Sequence, residues 1–119
     1  MEYERDVANF SSVRQVESLI VGIIGSGVSE YTAITRLLNW LSANVSYDYS
    51  YSESSYEMWG ILNGKAVCAG YSNFIQHAMQ MYGIQCQYVT GTAGGVAHAW
   101  NRVLVNGSWY WLDATWGMD

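Results

Sequence analysis

Apolar residues in the first half of the chain recur at steps of three and four, the spacing that collects them on one side of an α-helix. Val13, Val16, Leu19, Ile20, Ile23 and Ile24 form the first such set, with Ser11 and Ser12 ahead of it as candidate N-caps and Gly25-Ser26-Gly27 ending it. Ser29 caps a second set, Ile34, Leu37, Leu38 and Leu41, which finishes near Asn44. Two amphipathic helices packed together are expected. Residues 47–51 then alternate tyrosine with polar residues, and Ser54-Ser55-Tyr56-Glu57 opens a short helix through Met58, Trp59, Ile61 and Leu62 that Asn63-Gly64 stops. A third long helix is predicted from about Cys68 to Tyr82, with Gly83 at the C-terminal position where a left-handed backbone costs a glycine little.

From Ile84 onward the period changes to two. Residues 85–90, 97–105 and 108–113 read as strands, so the chain is α+β: N-terminal helices packed on a C-terminal antiparallel sheet. Asn106-Gly107 predicts a two-residue type I′ hairpin, because both residues tolerate positive φ. That turn sets a register in which Val105 faces Ser108 and, counting outward, Trp100 faces Asp113. His98 then shares a face with Asp113 as a diagonal neighbour, about 7–8 Å away at the backbone and within side-chain reach. The stretch Gly91-Thr92-Ala93-Gly94-Gly95-Val96 precedes a strand and has no following lysine, so it reads as a flexible loop beside His98 and not as a phosphate cradle.

The 119 residues predict one domain, 1–119, and their halt just after a strand predicts that it is part of a longer protein. Half the residues are apolar, with ten Tyr and six Trp, enough to build a core. Five basic residues scattered against ten acidic ones leave no positive stripe, which argues against nucleic acid as a partner. Residues 19–24, the longest apolar run, contain Gly22 and fall far short of the roughly 20 residues that span a bilayer, so no membrane insertion is expected. The first six residues lack the basic start and apolar stretch of a signal peptide.

Cysteine chemistry changes the picture most. Cys68 falls at the predicted start of the third helix, where unpaired backbone N–H groups and the positive end of the helix dipole favour a thiolate. Asp113 would fix one nitrogen of His98 and leave the other to act as a base, and the N–H groups around Cys68 would receive an oxyanion. His77 is nine residues beyond Cys68; at about 100° per residue it lies on the opposite side of the helix, so a surface or core hydrogen bond is expected for it. Cys86 alternates with Tyr88 in a strand and reads as core, although a Cys68–Cys86 bridge is the other arrangement two cysteines allow. A zinc set of Cys68, Cys86, His77 and His98 lacks any closely spaced ligand pair, and the chemistry needs neither metal nor cofactor. Trp100, Trp109, Trp111 and Trp116 read as sheet packing, some of them walling the site.

The segment Lys65-Ala66-Val67-Cys68-Ala69-Gly70-Tyr71, the block from Gly83-Ile84 through Gly91, His98-Ala99-Trp100, and Trp109-Tyr110-Trp111-Leu112-Asp113-Ala114-Thr115 together resemble the transglutaminase-like superfamily. The resemblance is to bacterial relatives of the transglutaminase core, with a papain-like plan, and covers about residues 29–117. It implies Cys68 as nucleophile, His98 as base and then acid, and Asp113 as the orienting carboxylate. It further implies that Tyr47 helps hold the oxyanion where animal transglutaminases carry a Trp, with Trp59 as the other aromatic candidate. The expected activity is acyl chemistry on peptide or side-chain amides of a protein or peptide substrate through a thioester, hydrolysis ahead of amine transfer, at an extracellular or cell-surface location. The other expectation is a noncatalytic binding or scaffold domain of a multidomain surface protein.

Overall fold

The computed structural model describes residues 2–115 and 117–118, with side chains described for residues 10–115; Trp116 lies outside the described residues. Helix α1 spans Glu2–Ile24 and α2 spans Glu30–Asn44. The first helix therefore starts well before Ser11 and Ser12, which sit inside it rather than capping it. No glycine or proline interrupts residues 2–21, so nothing in that stretch forces a break. At its other end Gly25 turns left-handed (φ 78°), and the Ile24 carbonyl accepts from the Arg36 guanidinium at 2.7 Å. Ser29 caps α2 as expected, its side chain accepting from the Thr32 N–H at 3.1 Å.

Between α2 and the third helix the chain forms a short parallel pair, β1 (Ser46–Tyr47) against β2 (Lys65–Ala66), and two 3-10 turns, Glu53–Tyr56 and Met58–Asn63. The single short helix read from the sequence is thus two 3-10 pieces, broken at Glu57, whose backbone is extended (φ −103°, ψ 157°). Helix α3, Cys68–Met81, ends with Gly83 at φ 68°. Val16, Ile20 and Ile24 of α1, Ala33, Ile34, Leu37 and Leu41 of α2, and Phe74, Ile75, Ala78 and Met79 of α3 are buried in one core. Each such large side chain, fully buried, contributes about 1.5–3 kcal/mol.

One four-stranded antiparallel sheet closes the other side, in the order β3 (Cys86–Ala93), β4 (Val96–Val105), β5 (Ser108–Asp113), β6 (Gly117–Met118). The Asn106-Gly107 turn has φ 50° and 84°, and the β4–β5 register runs from Val105 opposite Ser108 to Asn101 opposite Leu112, as predicted. Ala99, Asn101, Val103 and Val105 are buried, and Asn101 donates to the Ser72 carbonyl of α3 at 3.1 Å. The glycine-rich stretch is not a loop. Strand β3 continues through Ala93, and Gly94-Gly95, both at positive φ (59° and 80°), make a two-residue hairpin turn into β4. Two adjacent glycines supply what the tight turn needs, and Thr90 and Thr92 favour strand on the approach.

The loop after β1 is organised by one carboxylate. Asp48 accepts from the Ser50 N–H (2.9 Å) and hydroxyl (2.5 Å) through Oδ1, and from the Ser52 N–H (3.1 Å), Ser52 hydroxyl (2.6 Å) and Ser55 hydroxyl (2.6 Å) through Oδ2. These donors, the three serine hydroxyls foremost, hold the Asp48 carboxyl far below its ordinary value of 3.8. Ser55 in turn presents its carbonyl to the Val67 N–H at 3.0 Å, and the first turn of α3 lies directly on that carbonyl. A Cβ placed on Gly70 would stand 2.2 Å from the Ser55 oxygen.

Gly70→Ala is accordingly expected to cost about 2–3 kcal/mol, since backbone cannot yield as a flexible side chain can. A urea unfolding midpoint equal to that of the unsubstituted chain would remove the close-packing account. For Asp48, a depressed folded-state pKa means stabilisation that is complete above the unfolded value near 3.8 and is lost as pH falls below it. Melting temperature should therefore drop more steeply below pH 4 in the unsubstituted chain than in Asp48→Asn; parallel profiles would show that the carboxylate is not coupled to folding.

Candidate functional site

Cys68 is the first residue of α3, preceded by Val67, whose extended backbone and apolar side chain provide no cap hydrogen bond. The start of the helix is left open for another acceptor. The thiol is partly exposed and free, and so is Cys86; the two do not form a bridge. Strand pairing brings the next residue in. Ser46 N–H donates to the Gly64 carbonyl and Asp48 N–H to the Ala66 carbonyl, both at 2.9 Å, which carries Tyr47 alongside the segment that leads into Cys68.

The Tyr47 phenol faces Cys68 closely enough for that residue's thiol and backbone N–H to act on its ionisation. Burial first, and then the charge of an ionised Cys68, push its pKa above the ordinary 10.0, against the opposing pull of the Cys68 N–H. Tyr47 therefore keeps its proton and can donate. Trp59, the other aromatic considered for this place, is half-buried against the core instead.

His98 and Asp113 meet as the hairpin register requires, with His98 Nε2 at 2.5 Å from Asp113 Oδ2. Both side chains are largely shielded, 11% and 17% exposed, so the pair is little screened by water. Asp113 is held from its other oxygen as well, Oδ1 accepting from the Thr115 N–H at 2.9 Å. The imidazole stacks on Trp100, with ring centroids 5.7 Å apart and planes inclined by 25°. Trp100 in turn lies over Gly91 on β3, where a Cβ would approach its ring to 2.8 Å. A glycine in the strand that opposes His98 thus gives the tryptophan its place.

Tyr47 and His98 line one cleft of about 300 Å³, which Tyr49 and Tyr51 wall on one side and Val96 and Ala97 on the other. Tyr47 and His98 thus face the same cleft, while Cys68 is not among its lining residues. A larger hollow of about 610 Å³ runs along α1 past Phe10, Val21 and Met81, and none of the candidate residues lines it.

The remaining expectations divide clearly. His77 bonds to Glu17 at 2.8 Å and ties α3 to α1, on the side of the helix away from Cys68. Cys86 is largely buried beside Asn101, and burial pushes its thiol up to about 11. Among the described residues no group of three or more His, Cys, Asp or Glu converges as a metal site, and no helix is long and apolar enough to cross a membrane. Of the tryptophans, Trp100 flanks His98, whereas Trp109 and Trp111 hold the Arg102 guanidinium, 4.5 and 5.8 Å from their ring centres. Sequence reasoning missed Asp48. Its signal was present in the serines two, four and seven residues on, a spacing at which a short carboxylate can collect hydroxyl and backbone donors.

Comparison with known proteins places this geometry. Kyphoscoliosis peptidase of Homo sapiens is 23% identical over 119 residues, an alignment covering 86% of this chain and 18% of that protein. The Mus musculus protein of the same name is 24% identical over the same shares. The chain thus spans less than a fifth of the length of these curated relatives. A crystal structure described as a TGase superimposes with a TM-score of 0.70 at 24% identity, over 94% of this chain and 32% of its own. A candidate cysteine protease from Cytophaga hutchinsonii gives 0.69 at 20% identity, over 88% and 40%. Both share the fold of N-terminal helices on a C-terminal antiparallel sheet. The family model of the transglutaminase-like superfamily matches residues 17–114, from the middle of α1 past Asp113, and the chain belongs to that superfamily.

Proposed function

We propose that the domain catalyses thiol-dependent cleavage of amides in a protein or peptide substrate, with Cys68 as nucleophile, His98 as base and acid, Asp113 as the residue that orients His98, and Tyr47 as an oxyanion donor. The observation that carries this reading is the hydrogen bond between His98 and Asp113 beside the cleft that Tyr47 also lines, with Cys68, at a helix start, near enough to Tyr47 to act on its phenol. Bonded through Nε2 to Asp113, the ring is fixed in orientation.

In the reaction, His98 takes the Cys68 thiol proton, the sulfur attacks the amide carbonyl carbon, and the carbonyl oxygen becomes an oxyanion. Tyr47 O–H and the Cys68 N–H donate to it. The carbon–nitrogen bond breaks as His98 protonates the departing amine, leaving a thioester on Cys68. His98 then takes a proton from water, whose oxygen attacks the thioester, and the thiol is released with a carboxylic acid. Hydrolysis is preferred over transfer because, among the described residues that line the cleft, none is a carboxylate that would draw in the ammonium form of an acceptor amine.

Iodoacetamide at pH 6 should label Cys68 at least about tenfold faster than Cys86, whose buried thiol is pushed up to about 11. His98→Ala should remove that advantage; an unchanged rate at Cys68 would leave the thiol without a partner and favour a binding domain. With an amide substrate, Tyr47→Phe should lower kcat by about 10²-fold, the usual effect of losing one oxyanion donor. The same assay, read as amine release, should give equal product with and without an added primary amine; incorporation of that amine would make the domain a transferase.

A further inference from the structure

Strand β3 is an outer strand of the sheet, paired with β4 alone. Its eight residues, Cys86–Ala93, contain no charge and no proline, and their pairing with β4 runs without a bulge from Cys86 opposite Val103 to Ala93 opposite Val96. Edge strands of folded proteins are usually blunted by lysine, proline or a bulge, since their unpaired backbone is a template for another strand. This edge has none of those devices.

The ladder's parity identifies which groups are open. The Gln85 carbonyl accepts from the Leu104 N–H at 3.0 Å, so by the two-residue alternation of an antiparallel ladder Gln87, Val89, Gly91 and Ala93 turn their backbone groups toward β4. Cys86, Tyr88, Thr90 and Thr92 turn theirs outward. The Cys86 carbonyl is already taken, by Gln76 Nε2 at 2.8 Å. Tyr88, Thr90 and Thr92 are exposed, and among the described residues no side chain or turn bonds to their backbone. Three residues at a spacing of two thus offer alternating donors and acceptors, a pattern that an extended chain satisfies and a helix does not.

This edge is continuous with the candidate site. Gly91 stands opposite His98 in the ladder, and Ala93 lines the cleft. The Tyr88 phenol is close enough to Cys68 for an ionised thiol to act on it, second only to burial.

We infer that the free edge of β3 binds an extended, unfolded segment of polypeptide as an added strand, and so carries substrate past Cys68. Delivery to the thiol rests on the catalytic reading above; the strand pairing does not. The substrate class that follows is a flexible, strand-forming peptide segment, as opposed to an amide on the surface of a rigid folded domain.

The probe is a fluorescein-labelled peptide as long as β3, alternating threonine and valine around one glutamine, followed by fluorescence anisotropy with the unsubstituted chain. N-methylating alternate amides of the peptide in one frame should weaken binding at least about tenfold, while methylation in the other frame should change it less than about twofold, because only one set faces the edge. Thr90→Pro, which removes an outward N–H but no ladder bond, should weaken binding by a similar factor. Equal effects in both frames, absence of binding, or a concentration-dependent dimer that Thr90→Pro dissociates would overturn the inference. Since the methylation series uses the unsubstituted chain, it decides the matter even where the proline variant fails to fold. Frame-dependent binding by a chain whose Cys68 labels slowly would sustain the added strand and remove only the catalytic reading.

Discussion

The first turn of α3 rests on backbone rather than side chains, and the site depends on that contact. Gly70 lets the helix settle onto the Ser55 carbonyl, which the Val67 N–H also engages. Ser55 is itself fixed through its hydroxyl by Asp48. A line of short polar contacts thus runs from a buried carboxylate to the residue before Cys68. With no side-chain cap at Val67, it is this backbone packing, together with the β1–β2 pair, that determines where the thiol and its N–H point. Asp48 binds the loop and Tyr47, the residue before it, faces Cys68, so one short segment shapes both the loop and the aromatic side of the thiol.

The second half of the site is built by different physics. A hairpin with a two-residue turn has little freedom in register, so Asn106-Gly107 determines that His98 and Asp113 share a face long before any tertiary contact is considered. Packing then refines what register begins. Trp100 stacks against the imidazole and needs the open space over Gly91, which explains a glycine within a strand otherwise made of strand-forming residues. Local turn chemistry supplies the pairing, and one absent side chain on the neighbouring strand supplies the orientation.

The difference between local and non-local causes also decides what could be read from the sequence. Ser29 as a cap, Gly83 after α3, the Asn106-Gly107 register and the burial of one face of α2 all follow from residues close in the chain, and each was legible. The start of α1 was not, because Ser11 and Ser12 carry the chemistry of a cap while the residues before them are equally able to stay helical. Residues 91–96 misled for a related reason: glycines mark a loop or a tight turn alike, and only the pairing of Ala93 with Val96 distinguishes them. The parallel pair β1–β2 is two residues long and joins segments far apart in sequence, so no periodicity announces it. Tyr47 was accordingly reached through resemblance, and Asp48 beside it not at all.

Two cysteines in one small domain show how position separates chemistry from packing. Cys86 lies in a strand against the core, where loss of water disfavours the thiolate and the nearby Asn101 amide offsets only part of that effect, leaving the thiol near 11. Cys68 is partly exposed at a helix start, near the Tyr47 phenol. The same side chain is thus held from water in one setting and left partly open at a helix start in the other.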